Sequence, residues 1–267
     1  MVAVMVVTSC SRAEAPTQTS LNVGQWIWSV ADSARFARAS RSVAQLTPTV
    51  WIGSVHGTRD GTVATQLGVS PRISGRERTG VVVRFEDDFN AVWDQQPDSA
   101  VSARVGTALR SLLTVASTAG VEITEVQLDY DCPERLLPRW SAVVASMTRD
   151  PLRGRQVWLT SLVAHVRQRD YGDLFRAHVA GHILQVFDTG DRMSLSYADQ
   201  IERLASRHEM PFRLGVAAFE RSLANGNTTD HQAWFSAARV MQRSAWYRGL
   251  WVFPGGQEWA SLMETAR

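Results

Sequence analysis

The chain has 267 residues, of which 45% are hydrophobic and 20% charged, enough apolar sequence for one large core or two smaller ones. Its net charge of +2, with basic residues that are not clustered, argues against a nucleic-acid surface. All 28 of those basic residues are arginine, which excludes a Schiff-base or P-loop lysine, and the two cysteines exclude a disulfide framework.

The first ten residues, MVAVMVVTSC, are an apolar run that closes in small residues before Cys10. The run resembles a bacterial lipoprotein signal, with Cys10 as the lipidated residue, although it carries no positive charge and is short. The Ser-, Thr-, Ala- and Pro-rich stretch SRAEAPTQTS is typical of a flexible tether. We therefore expect residues 1–21 to be a leader and tether. The protein would be exported, either lipid-anchored in the cell envelope through Cys10 or periplasmic; an ordinary apolar N-terminus is the alternative.

Eight short runs rich in Val, Ile, Leu, Trp or Phe follow, each bounded by Gly, Pro, Asp or Ser, as is typical of buried strands. They cover residues 25–30, 49–55, 79–86, 123–131, 156–162, 181–187, 212–220 and 249–255. Apolar residues at helical spacing predict helices over 99–120, 139–147, 197–209 and 233–247. The stretch 56–78 carries no clear pattern. No segment after the tether approaches the ~18 apolar residues that would span a bilayer.

Strands that alternate with helices predict an α/β fold of parallel strands joined by crossover helices. Eight such units in about 250 residues match the size of a (β/α)8 TIM barrel, which we predict over residues 22–267. An open doubly wound sheet is the rival. It would need a glycine-rich phosphate-binding turn after its first strand, and QWIWSVADSARF has none.

The fourth run, VQLDYDCP (126–133), ends in two acids. Because side chains alternate along a strand, Asp129 and Asp131 share a face, which in a barrel points to the axis at the carboxyl mouth. Two carboxylates this close cannot both ionise freely, so one should have a raised pKa and hold a proton near neutral pH. A proton donor beside an anion suits glycoside hydrolysis. The structural alternative is an ion-pair anchor, with Arg84 of the third run neutralising Asp129.

Other polar and aromatic side chains near the strand ends are candidates for sugar binding. Trp28 and Trp251 lie near the ends of the first and last runs, where flat rings would stack on a sugar, unless they fill the core. Gln185 must find hydrogen bonds, from a ligand, from Thr160 or from Asp129. The expected substrate-binding set is Arg84, Glu86, Gln185, Trp28, Trp251 and Glu220.

The segment LDYDCPERLLPRWSAVVASM (128–147) resembles a bacterial family of secreted proteins of unknown function, in which an LDYDCP strand end opens a helix. The resemblance extends more loosely from about Gln25 to Glu220 through W-I-W, V-V-R-F, L-T-S-L, I-L-Q-V-F and P-F-R-L. It implies a glycosidase-like barrel of undemonstrated activity that is often exported.

The same strand is similar to the fourth strand of chitinase-like barrels, D-G-L-D-I-D-W-E. In that alignment Asp129 and Asp131 match the second and third acids, Val126 replaces the first, and Pro133 stands where the catalytic glutamate is expected. Any glycoside hydrolysis must then use another proton donor. Asp131, nearest the mouth, is the expected donor, with Glu220 or Glu86 as its partner.

The sequence gives little support to metal or serine chemistry. His178 and His182 are four apart, but Gly181 interrupts a helix there, and no G-x-S-x-G elbow is present. We expect a carbohydrate-active barrel, glycoside hydrolase-like, without a metal or cofactor. The alternatives are a catalytically silent surface barrel that binds a glycan or a protein, and a metal-dependent hydrolase that uses the acids as ligands.

Overall fold

The computed structural model describes residues 22–187, 193–220, 231–255 and 258–263. The described strands are β1 (Val23–Ile27), β2 (Thr47–Gly57), β3 (Val63–Leu67), β4 (Arg78–Phe85), β5 (Glu122–Tyr130), β6 (Gln156–Leu162), β7 (Gly181–Gln185), β8 (Phe212–Ala218) and β9 (Tyr247–Pro254). The described helices are α1 (Val30–Ala39), α2 (Asn90–Gln95), α3 (Asp98–Ser117), α4 (Leu137–Arg149), α5 (Val163–Arg167), α6 (Tyr171–Phe175), α7 (Leu195–Ser206) and α8 (His231–Met241).

Eight of these strands form a closed parallel barrel in the order β1-β2-β4-β5-β6-β7-β8-β9, and β9 pairs with β1 to close it. Helices lie between the strands, so the predicted (β/α)8 TIM-barrel-like fold is confirmed and the open doubly wound sheet is not formed. Each of the eight predicted runs overlaps a barrel strand.

Strand β3 was not predicted. It pairs antiparallel with the end of β2, with Gly53 opposite Leu67 and Gly57 opposite Val63. Four of its five residues are exposed, so it lacks the apolar pattern that marks a buried strand. In the hairpin the Gln66 carbonyl oxygen lies so close to Gly53 that a Cβ atom there would be only 2.4 Å away. The hairpin therefore needs glycine at this position.

The outward face of β5 packs under the helices, as its alternation predicts. Val126, Leu128 and Tyr130 are buried. The Tyr130 ring lies 5.0 Å from that of Trp140 on α4, and Trp93 Nε1 on α2 donates to the Tyr130 hydroxyl at 2.9 Å. The apolar set of this strand therefore belongs to the layer between the barrel and its helices.

The inward side chains fill the barrel axis with a polar and aromatic stack. Arg213 donates to both oxygens of Glu125 at 2.7 and 2.8 Å. Its guanidinium lies between the rings of Trp158 and Trp251, at 3.6 and 3.7 Å from their centroids. Above this pair, Gln127 accepts a hydrogen bond from Trp26 Nε1 at 2.6 Å. The next inward residue of β5, Asp129, lies at the carboxyl end of the strand.

Candidate active site

Asp129 is the inward residue that follows Glu125 and Gln127 along β5, and it is only 2% exposed. Arg84 lies opposite it in the β4–β5 register, and Arg84 Nη1 donates to Asp129 Oδ2 at 3.3 Å. Gln185 Nε2, from the end of β7, donates to Oδ1 at 3.3 Å. The Arg84 ion pair and the Gln185–Asp129 hydrogen bond, both weighed from the sequence, are thus present together.

Burial and, after it, the charge of Asp131 together raise the pKa of Asp129 to about 7, while the Arg84 guanidinium opposes the shift. Asp131 lies one residue past Tyr130, the last residue of β5, and is exposed. The two acids are therefore close enough to interact but differ in environment. One is buried under an arginine and holds a proton near neutral pH, and the other is open to solvent.

Glu86 follows β4 directly and joins this network. Arg84 Nε donates to Glu86 Oε2 at 3.2 Å, and Ser54 Oγ donates to Glu86 Oε1 at 2.6 Å. The side chains of Arg84 and Glu86 are 37% and 31% exposed, whereas that of Asp129 is 3% exposed. Arg84 thus links two carboxyl groups, of which that of Asp129 is buried and that of Glu86 is partly exposed to solvent.

Two tryptophans flank the charges. Trp28 is partly buried, with its ring centroid 6.0 Å from the Arg84 guanidinium carbon and 5.5 Å from the ring of Trp51. Trp51 points inward because it alternates with Thr49, whose hydroxyl contacts Gln127. Sequence reasoning missed Trp51 and Ser54. The alternation along β2 could have found Trp51, but Ser54 turns inward only because the β2–β4 register shifts between Trp51 and Gly53.

Trp251 does not lie at the mouth. It is 2% exposed, stacks on Arg213, and donates through Nε1 to Thr49 Oγ1 at 3.1 Å. The expectation that it offers a sugar platform is wrong for this structure. In the register Trp251 pairs with Gly24 near the start of β1, which places its ring inside the barrel. Glu220 lies just past the end of β8 and is exposed.

No protein-family model matches the sequence, and no curated protein matches it either. Among solved structures, a GH18 chitinase from Pseudoalteromonas aurantia superposes with a TM-score of 0.61 at 9% identity, covering 92% of this chain and 100% of that one. A chitinase from Chromobacterium violaceum gives 0.61 at 12% identity, covering 92% and 99%. A xylanase and alpha-amylase inhibitor protein from Scadoxus multiflorus gives 0.53 at 12% identity, covering 87% and 92%.

The chain has the fold of the glycosidase-like barrels. At these identities the likeness concerns the fold alone. The resemblance of LDYDCP to a secreted bacterial family stays a prediction.

Pro133, the residue aligned with the chitinase glutamate, follows β5 and is partly exposed. The backbone beside it is held by His165, whose Nε2 contacts the Cys132 carbonyl oxygen at 2.7 Å. His165 Nδ1 accepts from the Leu162 backbone N–H at 3.2 Å. Burial lowers the pKa of His165, so the ring is neutral and donates from Nε2. Sequence reasoning missed this histidine, because it lies 33 residues along the chain from Cys132, whose carbonyl it holds.

Within the described ranges, no group of three or more His, Cys, Asp or Glu side chains is arranged to hold a metal ion. Asp88 of the EDDF segment contacts His56 Nδ1 at 3.1 Å, and His182 Nδ1 contacts Ser161 Oγ at 2.6 Å. Among the same residues, no helix has both the length and the apolar character to cross a membrane. Cys10 and the predicted leader, residues 1–21, lie outside the described residues.

Proposed function

We propose that the chain is a carbohydrate-active barrel that hydrolyses a glycosidic bond at the Asp129–Asp131 pair. One observation carries the proposal: a buried carboxyl with its pKa raised to about 7 stands beside an exposed carboxyl at the carboxyl end of a barrel strand. Such a pair supplies a protonated and an ionised group at the same pH, which is the requirement of glycoside hydrolysis.

Asp131 delivers the proton to the leaving glycosidic oxygen, because it is the member of the pair that a bound sugar can reach, and it receives that proton from Asp129, which holds it near neutral pH. Asp129, ionised by this transfer, stabilises the positive charge that develops on the sugar ring. The donors from Arg84 and Gln185 fix the Asp129 carboxyl in place. Removing a positioned general acid typically lowers the rate by 10²–10⁴-fold.

The substrate we expect is a glycan of several sugar units. Trp28, which is partly buried, offers the accessible part of its ring to the apolar face of one sugar, while Arg84, Glu86 and Gln185 bind hydroxyl groups. Glu220 would contact the sugar from the end of β8. Because two of the structures that share the fold are described as chitinases, β-1,4-linked N-acetylglucosamine is the first glycan to test.

The test incubates the protein with three hexamers, of β-1,4-linked N-acetylglucosamine, β-1,4-linked xylose and α-1,4-linked glucose, and measures products by mass spectrometry. We expect the wild type to cleave at least one. Asp131→Asn should reduce that rate at least about 100-fold. Asp94 is an exposed aspartate on α2, so Asp94→Asn is the matched control and should leave the rate unchanged.

An Asp131→Asn variant with the wild-type rate contradicts the mechanism. A rate abolished by EDTA favours a metal-dependent hydrolase.

A second candidate is a barrel that binds a glycan or a protein without catalysis. Pro133 in place of the chitinase glutamate, and the two donors that engage Asp129, favour it. The structure from Scadoxus multiflorus with this fold is described as an inhibitor protein. Calorimetric binding of a hexamer that is never cleaved, equal in wild type and Asp131→Asn, would support this candidate.

We further propose that the protein is exported and anchored through a lipid on Cys10. The V-T-S-C sequence before the polar tether supports this. Mass spectrometry of the protein from the membrane fraction of a bacterial host should find the lipid on Cys10. The Cys10→Ser variant should carry none, and an unmodified wild-type Cys10 would contradict the anchor.

A further inference from the structure

We propose that Glu86 is the second catalytic carboxylate of this reaction, the base that removes a proton from the attacking water. This inference rests on the proposed glycoside hydrolysis and decides between Glu86 and Glu220, the two partners of Asp131 that the sequence left open. It replaces the simple hydroxyl-binding role of Glu86 with a chemical one.

The register of two neighbouring strands places Glu86 and Asp131 side by side. Arg84 pairs with Asp129 and Phe85 with Tyr130, so the next residues on the two chains are Glu86 and Asp131. The Arg84–Asp129 row of this ladder holds a guanidinium and a carboxyl group, and the row beyond it holds two carboxyl groups. Adjacent parallel strands lie about 4.8 Å apart, so both carboxylates border the same part of the mouth.

Two hydrogen-bond donors hold the Glu86 carboxylate in place. Its Oε2 accepts a hydrogen bond from the Arg84 guanidinium at 3.2 Å, and its Oε1 accepts one from Ser54 at 2.6 Å. These donors orient the group, as the placing of a base requires. Asp129, one position deeper in the barrel, is buried instead, and its pKa is raised to about 7. Two carboxyl sites with such different surroundings divide into a base and an acid.

Ser54 also orients the base relative to the acid. Ser54 lies on β2, on the side of β4 away from β5, and it pairs with Arg84 in the β2–β4 register. Its hydrogen bond draws the Glu86 carboxylate toward β2, whereas Asp131 lies at the end of β5. A base directed away from the acid favours the inverting reaction, in which a water molecule fits between the base and the sugar.

In the resulting step the water oxygen forms a bond to the anomeric carbon as the glycosidic carbon–oxygen bond breaks. The water proton passes to Glu86, and the proton that Asp129 holds passes through Asp131 to the leaving oxygen. Glu86 then releases one proton to solvent and the Asp129–Asp131 pair takes one up, which restores the starting states. One water is consumed and the anomeric configuration is inverted.

The experiment uses the hexamer that the wild type cleaves, with the N-acetylglucosamine hexamer first. Glu86→Gln should lower kcat at least about 100-fold, and Glu86→Asp should retain a part of the activity. Asp87→Asn, which changes the same charge at the next, exposed position, should stay within about twofold. Proton NMR of the first product should show the inverted anomer. A Glu86→Gln variant that keeps the wild-type kcat, or a retained anomer, overturns the inference.

A second measurement does not depend on turnover. The charge of Glu86 raises the pKa of Asp129, so carboxyl carbon NMR should find that pKa lower in Glu86→Gln than in the wild type. An unchanged pKa would separate Glu86 from the pair and overturn the inference. If the wild type hydrolyses and Asp131→Asn does not, but Glu86→Gln remains active, only this inference fails. If the wild type cleaves none of the three hexamers, the proposed function fails and the inference fails with it.

Discussion

Asp129 is the residue on which the proposed chemistry depends, and its surroundings act in opposite directions. Burial and the nearby charge of Asp131 favour the protonated acid, while Arg84 favours the anion. Arg84 is itself shared with Glu86, so its charge is divided between two carboxylates. Burial, followed by the charge of Asp131, outweighs the Arg84 contact, so an aspartate beside an arginine still has a pKa of about 7.

The raised pKa of Asp129 predicts a specific dependence of stability on pH. In the unfolded chain this carboxyl loses its proton near pH 4, but in the folded protein it holds the proton until about pH 7. The folded state therefore binds more protons between these values, and Asp129 lowers stability as the pH rises from about 4 to 7. Asp129→Asn removes this cost. We expect its melting temperature relative to wild type to increase over that range.

Thermal unfolding followed by circular dichroism at several pH values tests this expectation. Asp94→Asn is the control, because an exposed aspartate should give a difference that does not change with pH. Curves for Asp129→Asn and wild type that run parallel from pH 4 to 8 would mean that the Asp129 carboxyl ionises normally.

At the scale of the elements, the alternation of side chains along a strand correctly predicted those contacts that involve one strand and its nearest neighbour. The inward placement of Asp129 and its contact with Arg84 follow from β5 and β4 alone. The depth of Trp251 depends on how β9 meets β1 when the barrel closes, and a pattern within one strand carries no such information. The register shift in β2 turns Ser54 toward Glu86. It could not be predicted from the sequence, because it depends on how β2 pairs with β4 and not on the pattern within β2.

Gly53 and Gly106 differ in whether the surrounding structure leaves room for a Cβ atom. A Cβ on Gly53 would lie 2.4 Å from the Gln66 carbonyl oxygen and 2.6 Å from Leu112 Cδ2, so Gly53→Ala should destabilise the β2–β3 hairpin. On helix α3 the nearest atom to a Cβ on Gly106 is 3.9 Å away, so Gly106→Ala should stabilise the protein by about 0.5–1 kcal/mol through helix propensity.

Urea unfolding of the two glycine variants beside wild type gives the comparison. The midpoint should fall for Gly53→Ala and rise for Gly106→Ala. If Gly53→Ala matched the wild type, the hairpin would accommodate a Cβ and the close approach seen at Gln66 would not be required.

Across the whole molecule, charge is distributed so that the barrel axis and the helix layer carry different kinds of polar group. The axis holds the Glu125–Arg213 ion pair, stacked between two tryptophans. The layer outside β6 and β7 holds three histidines around Tyr171, whose ring lies 5.4 Å from that of His182. The neighbours are His165 and His208, at 6.2 and 5.5 Å from the same ring. All three have lowered pKa values, with burial the first cause in each case.

These histidines predict that the folded protein loses stability in mild acid. The unfolded chain takes up a proton on each near pH 6.5, whereas burial holds the pKa of His182 at about 3, so stability falls as the pH drops below 6.5. At pH 5 the buried His182 lowers the free energy of unfolding by about 2 kcal/mol.

His182→Gln, which keeps a polar group for Ser161 but cannot take a proton, should therefore gain stability relative to wild type as the pH falls from 7 to 5. Urea unfolding at both values measures this change, and His56→Gln, at a partly exposed histidine of the β2 end, controls for loss of a titrating ring. An equal change for the two variants would mean that burial of His182 is not the cause of the acid sensitivity.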